Sequence, residues 1–336
     1  MHPVTALRRI GFLLERGRAS TYRVKAYRRA ALAIATIPEA ELRQRATAGT
    51  LTEISGVGPK TATVIREALQ GRPGYLAELE DSAGPLTAGG RELCSALRGD
   101  LHLHSDWSDG GSPIEEMAVT GVELGHEYLA LTDHSPRLKV ARGLSAERLR
   151  SQLAVVEALA PRLAPMRLLS GIEVDILDDG SLDQQPDLLA RLDVVVASVH
   201  SKLAMEPAAM TRRMIAAVRN PDVDVLGHCT GRLVMGDRGT RPQSRFDAEA
   251  VFTACAEHGV AVEINARPER QDPPQDLMAL ALGAGCLFSL DTDAHAPGQL
   301  DWQVYGCERA EQVGVPAERI VNTWPVEDLL AWTARA

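Results

Sequence analysis

The chain has 336 residues, of which 45% are hydrophobic and 24% charged, with a formal net charge of −9. That length exceeds one small core and suits a barrel-sized α/β domain plus a second, smaller one. It contains no uninterrupted apolar run of about eighteen residues, the length that would span a bilayer. The N-terminus also lacks the charged-apolar-small order of a secretory signal. The expectation is a soluble, cytoplasmic protein. Five cysteines (Cys94, Cys229, Cys255, Cys286 and Cys307) are odd in number and form no C-x-x-C pair, so the reading is buried thiols and not a disulfide framework or a thiolate zinc knot.

The net charge conceals an asymmetry. Residues 1–98 carry 15 Lys+Arg against 9 Asp+Glu, a net of +6, which leaves −15 for the remainder. Arg16, Arg18, Arg23, Lys25, Arg28 and Arg29 fall within one short stretch, the footprint expected of a phosphate-backbone contact.

Residues 1–80 read as short helices. Leu7, Ile10 and Leu14 share one helical face, Val24, Tyr27, Ala31 and Ile34 another, and Val64, Ile65, Ala68 and Leu69 a third. Within this segment Ile54-Ser-Gly-Val-Gly58 and the following Pro59-Lys-Thr-Ala62 form the hairpin of a helix-hairpin-helix. Gly56 and Gly58 permit the tight turn, and Pro59 opens the next helix where a missing N–H costs nothing. Free backbone N–H groups and Lys60 then face a phosphate in a sequence-blind contact. With Arg23, Lys25, Arg28 and Arg29, these residues make the predicted DNA-binding surface. Residues 81–98, rich in turn formers, read as a linker ending in a brief helix.

From Gly99 to the C-terminus, apolar β-type runs alternate with helical segments. The runs at 99–104, 127–133, 168–174, 192–199, 223–228, 260–265 and 286–291 predict seven parallel strands, in a closed barrel or a doubly wound sheet. The barrel is preferred because six of the runs end at or beside an ionisable residue. In a parallel barrel the strand C-termini converge on one mouth, so residues far apart in sequence would meet there.

His102 and His104 are two apart on a strand and face the same way. Asp293-Ala-His295 repeats that spacing at the far end of the domain. With Asp109, His134, Glu173, His200 and His228 they make nine nitrogen and oxygen donors, enough for three divalent ions with open positions. The absence of thiolates suits Zn²⁺, Mn²⁺ or Fe²⁺. Asp133 reads as an orienting neighbour of His134, Asp291 as lying below the site, and His126 and His258 as structural. Arg232 and Lys202, each following a predicted ligand closely, are the candidate catalytic cations for gripping a phosphate, with Arg267 and Arg270 as further candidates.

The segments Gly99-Asp-Leu-His-Leu-His-Ser-Asp-Trp-Ser-Asp-Gly110, Leu131-Thr-Asp-His-Ser135, Gly171-Ile-Glu-Val174, Ser198-Val-His-Ser201, Gly227-His-Cys-Thr-Gly-Arg-Leu233 and Asp293-Ala-His295 resemble the successive motifs of the PHP (polymerase and histidinol phosphatase) superfamily. Glu263-Ile-Asn-Ala-Arg-Pro-Glu-Arg270, Val321-Asn-Thr-Trp-Pro325, Tyr22-Arg-Val-Lys-Ala-Tyr-Arg-Arg-Ala30 and Leu51–Ala62 resemble parts of bacterial family X DNA polymerases. The resemblance implies a distorted seven-stranded (β/α) PHP barrel behind a small all-α helix-hairpin-helix domain. Only a linker stands where such a polymerase carries its palm and fingers, so template-directed synthesis is not expected.

The resemblance also implies a partition of the donors: His102, His104, Glu173 and Asp293 on a first ion, Glu173 with His200 and His228 on a second, and Asp109, His134 and His295 on a third. A metal-activated hydroxide is the expected nucleophile. Val64 replaces the Schiff-base lysine of the related lyase domains, which removes that chemistry. The implied activity is phosphoester hydrolysis on DNA, as a 3′–5′ exonuclease, 3′-phosphatase or abasic-site endonuclease in repair. Its partners would be single-stranded, gapped or 3′-blocked DNA, together with DNA-repair proteins. The alternatives are a small-molecule phosphomonoesterase of the histidinol phosphatase type and a non-catalytic DNA-binding scaffold.

Overall fold

The computed structural model describes residues 1–236 and 239–334. Its contacts divide the chain into two compact units, one of Met1–Pro85 and one running from Leu86 to Ala296 and from Leu300 onwards.

The first unit is helical: α1 (Pro3–Arg16), α2 (Thr21–Ile34), α3 (Glu39–Ala48), α4 (Pro59–Gln70) and α5 (Gly74–Ser82). Its core is built from the three predicted faces, with Leu7, Ile10, Ile34 and Ile65 fully buried. Pro59 occupies the first turn of α4, and the preceding Gly56 has φ +94°, a left-handed conformation that favours glycine.

The second unit begins earlier than the sequence suggests. Amides of Ala88 and Gly89 donate to Glu308 Oε1 (3.0 Å each), and that of Gly90 donates to Glu311 Oε2 (2.7 Å). These carboxylates hold the second half of the expected linker against the barrel unit, and a short helix α6 (Arg91–Ala96) follows.

Seven parallel strands come next in sequential order: β1 (Gly99–Leu103), β2 (Tyr128–Leu131), β3 (Arg167–Asp175), β4 (Val194–Ser198), β5 (Val225–Leu226), β6 (Ala261–Asn265) and β7 (Phe288–Asp291). Between and after them lie α7 (Ile114–Leu124), α8 (Ala146–Leu163), α9 (Pro186–Leu189), α10 (Pro207–Val218), α11 (Ala248–His258), α12 (Gln275–Gly283), α13 (Gln303–Val313) and α14 (Val326–Thr333). Ser145 and Asp247 cap α8 and α11 by accepting from the Arg148 and Ala250 amides (3.3 and 3.1 Å).

The barrel is nearly closed. At the seam between β1 and β7, Leu103 bridges Ala294, the His104 amide donates to the Ala294 carbonyl (2.8 Å), and the Leu101 amide donates to the Asp291 carboxylate (2.8 Å). Asp291 therefore seals the barrel below the site, as expected. All seven strands are buried along nearly their whole length, which is why they read as continuous apolar runs. β5 has only two ladder residues, and a β-carbon on Gly227 just beyond it would lie 2.3 Å from Ser198 Oγ. Among the described residues no helix is long and apolar enough to cross a membrane, and the five cysteines are free thiols.

Candidate metal centre and nucleic-acid interface

The strand ends bring all nine predicted donors together. Their ligand atoms fall into four overlapping groups: His104, Asp109, His134 and His295; His102, His104 and Asp293; His102, Glu173 and His228; and His134, Glu173 and His200. Glu173, near the C-terminal end of β3, joins the halves. Its Oε1 lies 2.8 Å from His228 Nε2 and 3.1 Å from His200 Nε2, while Oε2 faces His134 Nδ1 (2.7 Å), His102 Nε2 (3.4 Å) and His104 Nε2 (3.6 Å). A carboxylate with a separate set of imidazoles at each oxygen is suited to being shared between cations.

Burial grades across the cluster. His102, His104 and Glu173 are inaccessible, whereas the side chains of His295 and Asp109 are 23% and 38% exposed and mark the open side. His102 Nε2, both ring nitrogens of His104 and His200, and Glu173 Oε2 are buried and lack hydrogen-bond partners among the described residues. Orphaned buried polar atoms are costly and rare. Here they converge with carboxylates in a set of imidazoles and oxygens that fits divalent transition metals.

The tautomers agree with that fit. Nδ1 of His102 lies 2.6 Å from Glu263 Oε1, so Nδ1–H donates there and leaves the Nε2 lone pair to the cluster. The Asp293 carbonyl accepts from Arg267 Nη1 (2.7 Å), and both of these atoms lie 2.9 Å from Nδ1 of His295, whose Nε2 then faces Asp109 (3.3 Å). Asp293 itself is left-handed at φ +51°, a strained non-glycine backbone of the kind that collects at functional sites.

Charge is balanced locally. Burial opposes a proton on His200, yet Glu173 and Asp175 push its pKa up to about 9. Burial and the nearby Arg270 push that of His228 down to about 4. Burial would raise Asp293, but Arg267 and Arg270 hold its carboxyl well below the ordinary range.

Two expectations need correcting. Arg232 is half-buried and donates to the carbonyls of Arg270 (3.1 Å) and Gln271, so its guanidinium braces the loop after β6. The cations against the cluster are on that loop: Arg270 Nε lies 3.0 Å from Asp293 Oδ2, and Arg267 stacks over Trp302 beside Asp293. Asp133 orients no histidine. It accepts from Ser105, Ser108 and Gln152 and so shapes the segment leading to Asp109. Lys202 stands at the rim in an exposed pair with Asp178.

Two residues were missed. Glu263 holds His102, and its second oxygen accepts the His228 amide and Asn265 Nδ2 (3.3 Å for the latter). Asp175 Oδ1 accepts the His200 amide (3.1 Å). Both belong to i, i+2 polar pairs on strands, Glu263 with Asn265 and Glu173 with Asp175, a spacing that puts both side chains on one face.

In the helical unit, Tyr22, Arg23, Tyr27, Gly58, Lys60 and Tyr75 line a recess of about 730 Å³ beside the hairpin. Arg23 donates to the Tyr75 hydroxyl (2.6 Å), and Lys25 and Arg29 are exposed. The recess departs from expectation in two ways. The Gly58 amide donates to Thr61 Oγ1 (2.9 Å), so it is not offered to a phosphate; the first-turn amides of Lys60 and Thr61 are those that helix geometry leaves without an intrahelical acceptor. Arg28 is buried in a bidentate pair with Glu15 (2.9 and 2.6 Å), so it belongs to the core and not to the DNA-facing surface.

Residues 100–267, half the chain, match the PHP domain family, and residues 2–72 match a helix-hairpin-helix domain. The chain belongs to the PHP family. Its enzyme class is accordingly that of a metal-dependent phosphoester hydrolase. The PHP chain is 37% identical over 239 residues to "DNA polymerase/3'-5' exonuclease PolX" of Bacillus subtilis, a match covering 71% of this chain and 41% of that protein. It is 29% identical over 237 residues to a "Probable phosphatase" of Acetivibrio thermocellus, covering 67% of this chain and 90% of that protein. Among solved structures it is similar to a histidinol phosphate phosphatase of Lactococcus lactis, with TM-score 0.46, 17% identity, and coverage of 65% of this chain and 92% of the other.

Proposed function

We propose that the protein hydrolyses phosphoester bonds at DNA ends, as a 3′–5′ exonuclease or 3′-end-cleaning phosphoesterase, through three divalent ions held by the nine clustered side chains. The observation that carries this reading is Glu173, with one oxygen toward His200 and His228 and the other toward His102, His104 and His134. On this reading His102, His104, Glu173 and Asp293 hold one ion, Glu173 with His200 and His228 a second, and Asp109, His134 and His295 a third. Mn²⁺ and Zn²⁺ are the cations the donor set favours.

Divalent ions bound there supply Lewis acidity and make water nucleophilic near neutral pH. The chain's own residues do the rest. Glu263 fixes the His102 tautomer, and Arg270 and Arg267 hold Asp293 ionised. Lys202 at the rim can exchange its exposed partner Asp178 for a substrate phosphate at small cost, because an ion pair in water contributes little. No covalent protein nucleophile is required.

DNA as the substrate is supported by the net +6 of residues 1–98, the hairpin with Lys60, and the similarity to the Bacillus subtilis exonuclease. A second reading, a small-molecule phosphomonoesterase, is favoured by the match to the Acetivibrio thermocellus phosphatase along 90% of its length. Protein loaded with Mn²⁺ or Zn²⁺ should be assayed on labelled single-stranded, gapped and 3′-phosphorylated DNA beside histidinol phosphate. Turnover of DNA is expected, and turnover of histidinol phosphate alone would establish the second reading instead.

A further inference from the structure

Between β2 and α8 the chain leaves the metal cluster at His134 and returns at Leu144, whose amide donates to the His134 carbonyl (2.7 Å). The excursion is fastened throughout. The amides of Leu138, Ala141, Arg142 and Gly143 donate to the carbonyls of Ser135, Leu138, Lys139 and Leu138 (3.3, 3.0, 3.0 and 3.2 Å), and that of Arg137 donates to the Asp183 carboxylate (2.7 Å). Ala141 is buried, and a β-carbon on Gly143 would lie 1.8 Å from the Ser135 carbonyl oxygen. Arg142 is left-handed at φ +57°, a backbone that side chains other than glycine seldom adopt.

What this fixed turn holds out is Lys139, Val140 and Arg142. Val140 is 91% exposed, more than any other large apolar side chain among the described residues. Scattered exposed apolar residues are ordinary. One held out by a rigid turn between two cations is a different case. Lys139 has no ion-pair partner among the described residues.

The turn is also tied to the segment that carries Asp109. Arg142 Nη1 donates to the Asp106 carbonyl (3.4 Å), and Arg148 donates to the carbonyls of Trp107, Arg142 and Gly143 (3.3 Å for the last). The turn that starts at His134 and the segment that leads to Asp109 are therefore fastened to each other, and the exposed Asp109 marks the open side of the cluster.

We propose that this turn is a strand-reading wall of the metal centre: Lys139 and Arg142 hold neighbouring backbone phosphates of a single-stranded DNA end, and Val140 packs against the face of the base between them. The inference rests on the DNA-end reading given above. An aliphatic side chain can meet a base face only where that base is unstacked, and it offers no donor or acceptor to base edges. The wall consequently selects single strands without selecting sequence.

The test uses the full-length, Mn²⁺-loaded protein and its Lys139→Ala, Val140→Ser and Arg142→Asn variants, the last because asparagine tolerates the left-handed backbone. Substrates are a labelled single-stranded oligonucleotide, a blunt duplex of the same sequence and bis(4-nitrophenyl) phosphate. The ratio of kcat/KM on the oligonucleotide to that on the small ester should fall about tenfold in Lys139→Ala, the loss of one charge-assisted contact. In Val140→Ser the preference for single strand over duplex should shrink. Equal loss on ester and oligonucleotide would mean that the turn serves the metals, and wild-type ratios in all three variants would mean that it touches no substrate; either result overturns this inference alone. A wild-type protein that hydrolyses the ester but no DNA overturns the inference and the DNA reading together.

Discussion

The Glu263 carboxylate holds Nδ1 of His102 at 2.6 Å with one oxygen and accepts the backbone amide of His228 with the other. One buried side chain thus orients the His102 ring and anchors the His228 backbone, two residues that meet at Glu173. Glu263→Gln keeps the volume but offers one acceptor and one donor to three donors (His102 Nδ1, the His228 amide and Asn265 Nδ2), so an N–H is left facing an amide. Metal affinity, measured by competition with a chelator, should weaken by about 10–100-fold, the range for groups that orient metal ligands. Unchanged affinity would mean that the rings are oriented by something else.

Glu173 supplies the second prediction. Glu173→Gln removes the charge that two sets of imidazoles share, without opening a cavity. Elemental analysis of the wild type should find about two to three transition-metal ions per chain, as the donor set implies. The variant should lose metal and hydrolysis together while its far-ultraviolet circular dichroism is retained. A metal-free wild type with full activity would remove the hypothesis.

The barrel and the nine-residue cluster were legible because each strand is a buried apolar run that stops at a polar residue, and a parallel barrel gathers such stops at one mouth. Glu263 was overlooked because it is a carboxylate inside an otherwise apolar run, and Asp175 because it follows the donor Glu173 at the very end of β3; only the tertiary pairing gives each a task. Arg232 misled because nearness in sequence to His228 is not nearness in space. Gly231 is left-handed at φ +62°, and the Arg232 guanidinium ends on the carbonyls after β6. Arg28 sits four residues after buried Val24 and three before buried Ala31, so helical periodicity already put it on the inner face. Its partner Glu15 lies on another helix and could not be read from local pattern.

That correction separates two arginine-and-lysine variants. Arg28→Met should leave the buried Glu15 carboxylate without its cation, at a cost of about 3 kcal/mol, and should appear as a lower unfolding midpoint. Lys60→Ala should leave the midpoint alone and reduce the slope of log affinity for DNA against log salt by roughly 0.7–0.9, the increment for one phosphate contact. Fluorescence anisotropy across a salt series, on two unrelated oligonucleotides, measures the slope. Salt-insensitive binding, or the same slope in Lys60→Ala, would leave the hairpin as a surface for something other than a phosphate backbone.

His126, in the turn between α7 and β2, gives a pH dependence with a definite sign. Burial alone pushes its pKa down from the ordinary 6.5 to about 4, so it stays neutral in the folded chain at pH values where the unfolded chain protonates it. The unfolded state then binds the extra proton, and stability falls as pH drops from about 6.5 towards about 4, below which both states are protonated and the loss is complete. His126→Leu removes this one titration and leaves every other in place. Its unfolding midpoint should therefore gain on that of the wild type as pH falls through that window, and the difference should level off below about pH 4. Midpoints of both proteins measured by thermal denaturation from pH 7.5 downwards test this, and a difference that is flat with pH would mean that His126 does not titrate differently in the two states.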